Sequence, residues 1–264
     1  MRERRPAVSA AVWFVVLAAV SLAPVALLVL RALARTWLYP TLSPVVADGS
    51  ALAAVLSLPR LRGALLASLL LALGTGVLAT AMGCAAGRAL VRARGGWRRV
   101  ATAAAFLPVV APPIALGVGI QVVALRLGLG GTLGGVMLAH LIPAAGYVTL
   151  YFVGALQGED FALEDEARTL GATRWQTTWR VTIPVLRSRL RDAFVLGALV
   201  SWGQLALTLL VGAGSIRTLP VELLSYVRAG DDRLGAAAAL VLAVPPLLAM
   251  GVVGLGARRT GAVA

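Results

Sequence analysis

Long apolar stretches separated by short polar segments run through the chain, and one polar segment, over residues 157–192, stands out for its length and density. A membrane span needs about 20 mostly apolar residues to cross about 30 Å of hydrocarbon. Six segments meet that requirement, at about residues 10–33, 64–86, 101–125, 132–156, 193–211 and 234–257. The pattern predicts an all-α membrane protein with six transmembrane helices, in a single transmembrane domain over residues 1–264. Residues 51–58 are also apolar and suit a short interfacial helix. The first span could double as an uncleaved signal anchor, since Arg2, Arg4 and Arg5 precede it and no convincing small-residue cleavage site follows.

The polar segment between the fourth and fifth spans must lie in water. Residues 159–191 hold five carboxylates (Glu159, Asp160, Glu164, Asp165, Glu166) and six arginines (Arg168, Arg174, Arg180, Arg187, Arg189, Arg191). At about 2.5–3.5 kcal/mol for each charge at a membrane centre, these groups would overwhelm the apolar gain of any span that contained them. Residues 161–170 read as a short helix, with carboxylates near its start and Arg168 near its end, as the helix dipole prefers. Gly171 permits a sharp turn. Residues 174–181 resume as a second helical stretch, with Trp175 and Trp179 four residues apart on one face. Pro184 marks where the next segment begins in a changed direction. Two helices joined at a glycine make a docking knob, where a solvated charged loop would have little need of a tryptophan pair.

Composition agrees with the membrane reading: 59% of residues are hydrophobic, only 13% are charged, and mean hydropathy is +0.89. A soluble domain carries about 25% charged residues. Arginine supplies every positive side chain, since the chain has no lysine. Sixteen arginines fall before the first span, in the second connection, in the polar segment and at the C-terminal end; eight fall on the other side. The positive-inside rule then places both termini and the polar segment in the cytoplasm. The net charge of +13 is a topology signal, so no nucleic-acid partner is expected. Without lysine the chain cannot build a phosphate-binding GxxxxGK[ST] loop, which excludes ATP hydrolysis by that route. Cys84 is the sole cysteine, so neither a disulfide framework nor a cysteine metal site is possible within the chain, and no convincing Ser/His/Asp set stands out around the sole histidine, His140.

Several polar or helix-breaking residues fall within the spans. Pro108, Pro112 and Pro113 remove backbone donors from the third span, so a broken helix there is a candidate wall of a solute pathway, with a packing kink as the alternative. Gly74, Gly76, Gly83 and Gly87 suit close helix packing in the second span. Ser201, Gln204 and Thr208 recur at helical spacing in the fifth span, and such a stripe either bonds neighbouring helices or lines an aqueous route. The expectation is that Pro112, Pro113, Ser201, Gln204 and Thr208 line the solute pathway. His140 fits a neutral imidazole bonded to a neighbouring helix, with a solute contact as the alternative.

The run Asp165-Glu166-Ala167, then Gly171, then nine residues, then Val181-Thr182-Ile183-Pro184 closely resembles the EAA loop of binding-protein-dependent ABC importer permeases of type I, MetI-like architecture. That loop reads EAA, three residues, Gly, nine residues, I-x-L-P. Asp165 stands where Glu is usual and Glu166 where the first Ala is usual, with the spacing intact. Leu107-Pro108, Pro112-Pro113, Leu116-Gly117, Leu127-Gly128-Leu129, Gly131-Thr132, Leu138-Ala139-His140 and Tyr147-Val148 are similar to the third and fourth spans of the iron, thiamine, polyamine and phosphonate import branch. Residues 217–223 are similar to the external segment before the last span. Related permeases of this branch often carry an acidic residue where Gln204 stands.

The resemblance implies one permease subunit of an importer in the cytoplasmic (inner) membrane, providing half the translocation pathway. Its implied partners are the lipid bilayer, a cytoplasmic ABC ATPase dimer, a second permease (identical or homologous) and an extracytoplasmic solute-binding protein. Glu164, Asp165, Glu166, Ala167, Arg168, Gly171 and Pro184 would couple it to the ATPase, which binds ATP and Mg; no cofactor or metal is expected in this chain. An ion-coupled secondary transporter is the alternative class, although no carboxylate falls mid-span and no internal repeat is visible. A noncatalytic membrane scaffold accounts for the charges but not for the third and fifth spans.

Overall fold

In hydrocarbon every backbone N–H and C=O must find its partner within the protein, which restricts spanning segments of this composition to helices. The computed structural model describes residues 7–37, 41, 46–158 and 161–260, so Arg2, Arg4, Arg5, Glu159 and Asp160 lie outside the described residues. Along the first half of the chain the elements are α1 (Ala7–Leu33), the strands β1 (Ala34–Thr36) and β2 (Val46–Ala47), α2 (Ser50–Ser57), α3 (Pro59–Arg92), α4 (Gly96–Val110), α5 (Pro113–Arg126) and α6 (Leu133–Ala155). Then follow α7 (Ala162–Thr169), α8 (Arg174–Thr177), a π-helical turn (Thr178–Thr182), α9 (Ile183–Trp202), α10 (Ala206–Gly212), α11 (Leu219–Arg228) and α12 (Asp232–Thr260).

Four helical segments are long and apolar enough to cross a membrane unaided: Val12–Leu33, Pro59–Arg92, Leu133–Ala155 and Asp232–Gly251. Two further spans arise if each bent helix pair counts as one, α4 with α5 (103°) and α9 with α10 (62°). At 1.5 Å per residue, α4 and α5 reach only about 21–23 Å each, short of the hydrocarbon thickness. The break expected at the prolines is therefore far more than a kink. Ala111 is extended (φ −64°, ψ 135°), as a residue before proline prefers, and Pro113 then opens α5, where its missing N–H costs nothing.

The fifth span differs from its expected form. It is not one helix over 193–211: the helix starts earlier, ends at Trp202, and resumes as α10 after Gly203, Gln204 and Leu205. Gly203 closes α9 by donating its N–H to the carbonyl of Leu199. Pro184 also departs from expectation, since the helix passes through it rather than starting afresh in a new direction. A proline ring clashes with the carbonyl four residues back in a regular α-helix. The π-turn just ahead removes that conflict by letting the Ile183 N–H reach the Thr178 carbonyl, five residues back.

The described residues group into two units. The first comprises Met1–Ala64 and Leu219–Val244. Within it β1 and β2 pair antiparallel, and α2 buries Ala51 and Val55, a short helix where the apolar run 51–58 suggested one. Buried Glu222 accepts from Arg60 Nε at 2.6 Å, and the Arg60 guanidinium lies over the Tyr226 ring at 5.8 Å. Asp48 accepts from both the N–H and the hydroxyl of Ser50 and from Arg233. Most apolar side chains of α1 from Val12 to Leu30 are exposed, as on a helix solvated by lipid.

The second unit comprises Leu65–Thr218 and Pro245–Ala264, and α6 carries its core. Toward the start of α6, Val136 and Ala139 pack with Leu71, Ala124, Leu207 and Val211. Toward its end, Val148, Phe152 and Leu156 pack with Ala79, Leu186 and Ala193. Glycines let α3 approach α6, as the sequence suggested: a Cβ on Gly83 would sit 2.6 Å from Val148 Cγ1 and 2.9 Å from the Thr149 nitrogen, and one on Gly87 would strike Phe152. Gly83→Val is expected to lower stability by about 1–3 kcal/mol, the usual cost of overpacking. Gly154→Ala, where a Cβ meets nothing within 4 Å, should not lower it and should add up to about 1 kcal/mol from the better helix propensity of alanine. Thermal unfolding of the detergent-solubilised protein checks both.

Candidate functional site

The polar segment after α6 folds as two helices joined by a nearly fixed elbow. Glu164 and Asp165 lie in the first turn of α7 and Arg168 in its last, each where the dipole favours it. The helix ends in a Schellman motif: the Ala172 N–H bonds the Ala167 carbonyl, the Gly171 N–H bonds the Arg168 carbonyl, and Gly171 takes the left-handed conformation this requires (φ +89°). Thr173 opens the next helix with a capping box. Its hydroxyl accepts from the Gln176 N–H, while Gln176 Oε1 accepts from the Thr173 N–H at 2.8 Å. The Schellman motif ends on Ala172 and the capping box begins at Thr173, so the two devices abut and the elbow angle is set by backbone geometry.

Glu164 ties this elbow to the membrane helices. Its carboxylate accepts a bidentate pair from Arg88 (2.8 and 2.7 Å), a third bond from Arg92 Nη2 (2.9 Å) and a fourth from the Thr182 hydroxyl (2.8 Å). Both guanidinium groups also lie over the Phe161 ring, at 5.6 and 4.3 Å. One buried carboxylate thus joins α7 to the end of α3 and to the π-turn that leads into α9. Burial alone would raise its pKa; the bonds from Arg88, Thr182 and Arg92 outweigh burial and hold it down at about 2.

Of the residues expected to couple, Glu164 faces inward, whereas Asp165, Glu166, Arg168, Gly171 and Pro184 are exposed and Ala167 is half-buried. The outer surface of the elbow is unexpectedly apolar. Leu170 is 88% exposed, Trp175 71% and Trp179 53%, and the two indoles meet in a tilted contact with centroids 5.2 Å apart and planes at 56°. Leu163 adds to the same exposed set. Arg88, Arg92, Phe161 and Thr182 were not anticipated. The signal available for the arginines was their i, i+4 spacing at the end of a span, but as sequence they read only as topology charges.

A second polar cluster lies inside the helices. His140 on α6 bonds Ser201 Oγ through Nδ1 and Thr208 Oγ1 through Nε2, both at 2.9 Å, and all three side chains are buried. Thr208 donates its single hydroxyl proton to the Gln204 carbonyl, so it must accept from His140. That fixes the proton on Nε2, leaving Nδ1 to accept from Ser201. The imidazole therefore spans the break in the fifth span, one nitrogen holding the end of α9 and the other holding α10. His140 is bonded to a neighbouring helix, as one reading of the sequence had it. Ser201 and Thr208 turn to the histidine rather than forming a continuous stripe with Gln204, because the helix carrying them breaks at Gly203. Gln204 is half-buried at the break, and Pro112 and Pro113 are exposed at the bend of the third span. Among the described residues no group of three or more His, Cys, Asp or Glu side chains could hold a metal ion.

Comparison with known proteins places these features in context. Residues 79–261 match the family described as binding-protein-dependent transport system inner membrane component. The molybdenum transport system permease protein ModB of Mycobacterium tuberculosis is 31% identical over 220 residues, covering 78% of this chain and 82% of its own. PhnV of Salmonella typhimurium, assigned by name to 2-aminoethylphosphonate transport, is 30% identical over 158 residues, 59% of this chain and 60% of its own. Among solved structures, a chain of a bacterial ABC transporter involved in import of the acidic polysaccharide alginate superposes with a TM-score of 0.69 over 96% of this chain and 98% of its own, at 20% identity.

Glu164→Ala should weaken the docking of α7 by about 3 kcal/mol, the low end for breaking a buried pair because Arg92 stays open to solvent. Hydrogen exchange over residues 162–172 should rise accordingly. Since the folded pKa lies below the ordinary 4.5, the clamp is at full strength above about pH 4.5 and is lost as pH falls from there toward 2. Exchange after brief acid pulses should show that window in the wild type and not in Glu164→Gln. His140→Leu should cost about 1–2 kcal/mol for two interhelical bonds, measured by thermal unfolding.

Proposed function

The chain belongs to the family of binding-protein-dependent transport system inner membrane components and is a multi-pass permease subunit of an ABC importer, and from that premise we propose how it couples and what it carries. ATP hydrolysis belongs to a separate subunit. Membership in this family sets aside the ion-coupled carrier and the passive scaffold.

In the proposed mechanism the elbow of α7 and α8 seats in a groove of a cytoplasmic ATPase. Leu163, Leu170, Trp175 and Trp179 supply the apolar contact, and Asp165, Glu166 and Arg168 the charged rim. The observation that carries this reading is the pairing of an exposed apolar knob with a buried clamp at Glu164. A push on the knob has a defined route into α3 through Arg88 and Arg92, and into α9 through Thr182. Closure of an ATPase pair would then bias the spans between two states by differential contact. Two ATPases, a second permease (a copy or a homologue) and an extracytoplasmic solute-binding protein complete the assembly, with both termini and the elbow in the cytoplasm.

Pro112, Pro113 and Gln204 line the solute route in this proposal, at the two breaks of the membrane helices, because irregular backbone at membrane depth is tolerated where it is buried in protein or lines an aqueous route. Ser201 and Thr208 act beside them by holding the bend through His140. The cargo is a small solute bearing an oxyanion, of molybdate or phosphonate type, a narrowing supported by the names of the relatives. A Gln204 amide in place of a carboxylate suits an anion, because it adds no repulsive charge.

Reconstituted transporter with its ATPase and binding protein provides the test. Glu166→Lys and Gly171→Asp should fold and reach the membrane, yet lower ATPase co-purification or solute uptake at least about tenfold. Normal uptake together with normal ATPase recovery in both variants would overturn the coupling assignment. Competition by molybdate and by 2-aminoethylphosphonate against labelled solute bound to the binding protein separates the two cargo types.

A further inference from the structure

A cavity of about 950 Å³ opens where α3 passes into α4, at the end of the spans that also carries the elbow. Its rim holds three guanidinium groups, Arg94, Arg98 and Arg99, and two neutral polar side chains, Thr102 and Gln157. Its inner wall is apolar, formed by Ala103 and Phe106 of α4 and by Leu150 and Val153 of α6. Among the described residues none of the three arginines has an ion pair or a hydrogen bond, unlike Arg88 and Arg92 a turn or two earlier in the chain.

We propose that this cavity binds an anionic phospholipid, with the phosphate held by Arg94, Arg98 and Arg99 and the start of an acyl chain lying against Phe106, Leu150 and Val153. Charge and polarity both point to this occupant. Three unpaired cations in one concavity call for an anion, and the start of α4 adds to their field: Gly95 caps the helix without a side-chain bond, which leaves backbone N–H groups free at the positive end of its dipole. A free solute anion would find no use for the apolar wall, whereas a lipid presents a headgroup and a chain in that order. The depth is right as well. Trp97 is 71% exposed beside the arginines, the placement of an indole at the membrane–water boundary, and below it α4 is apolar. Basic pockets between helices at this level hold anionic headgroups.

Such a lipid would brace a weak place in the chain. The connection between α3 and α4 contains Gly95 in the left-handed region (φ +77°) and Gly96, with no side-chain bond at the cap. A headgroup shared by Arg94 on one side of that connection and Arg98 and Arg99 on the other would hold the two helices together beside the span that carries Arg88 and Arg92.

The test uses the full chain purified with its transporter partners in neutral detergent, titrated with phosphatidylglycerol, phosphatidylcholine, glycerol 3-phosphate or sodium molybdate. Native mass spectrometry counts the bound lipid, and quenching of tryptophan fluorescence by brominated lipid gives the affinity. The expected result is saturable binding of phosphatidylglycerol over phosphatidylcholine, weakened on the order of 100-fold in the triple variant Arg94→Gln, Arg98→Gln, Arg99→Gln, at about a factor of five for each arginine. The triple lysine variant, which keeps the charge, should retain most of the binding, and Arg126→Gln should leave it unchanged. If the triple glutamine variant does not fold, each single glutamine variant should still show its fivefold loss. Unchanged phosphatidylglycerol binding in these variants would overturn the proposal. So would binding of glycerol 3-phosphate or molybdate as tight as that of the lipid, since the site would then serve a soluble anion.

Discussion

Four hydrogen bonds to the single carboxylate of Glu164 hold the segment after α6 in place. Each comes from a different donor atom, three of the four are charge-assisted on both sides, and such bonds are roughly twice as strong as neutral ones. The donors belong to segments far apart in sequence: Arg88 and Arg92 close α3, and Thr182 sits in the π-turn before α9. Without that carboxylate, α7 would rest on a short apolar contact and two arginines would face each other uncompensated. With it, α7 cannot shift without moving the ends of two membrane helices. The elbow beyond is equally constrained, since a Schellman motif and a capping box follow one another with no residue between them. A stiff lever on a buried pivot is what a movement at the protein surface needs if it is to reach the spans rather than dissipate in a loop.

Inside the spans the same economy appears with neutral groups. Both bent helices expose backbone that a continuous helix would have hidden, a liability in hydrocarbon unless the break is buried or lines a cavity. At the fifth span the sole histidine bridges the two limbs through Ser201 and Thr208, in a donor chain that ends on the Gln204 carbonyl. At the third span two prolines define the break by removing donors, so little is left to satisfy. One break is secured by hydrogen bonds and the other by covalent ring geometry.

The spans were legible because bilayer thickness dictates the length of an apolar run, and the elbow was legible because Gly171, the tryptophan pair and the EAA spacing are local signals. The break at Pro112 and Pro113 was visible for the same reason, although its size was not. The bend at Gly203 escaped notice because a single glycine in a span more often serves packing, as Gly83 and Gly87 do here. The inward turn of Glu164 was hidden for a different reason. Three neighbouring carboxylates look alike in sequence, and the choice among them is made by Arg88 and Arg92, more than seventy positions away. The route through Pro184 was misjudged because the rule that proline ends helices assumes an α-turn ahead of it, and this chain supplies a wider one.

That wider turn has a consequence for the whole of the fifth span. A π-turn accommodates one more residue than an α-turn, so every position beyond it is rotated by about 100° relative to an uninterrupted helix. Leu186, Ala193 and Gly197 face α3 and α6 only in the shifted phase, and Ser201 meets His140 only in that phase. The five residues Thr178–Thr182 therefore act as a phase setter: they carry the Thr182 contact to the pivot at one end and, through nothing more than the count of residues per turn, choose which face of the following helix looks inward.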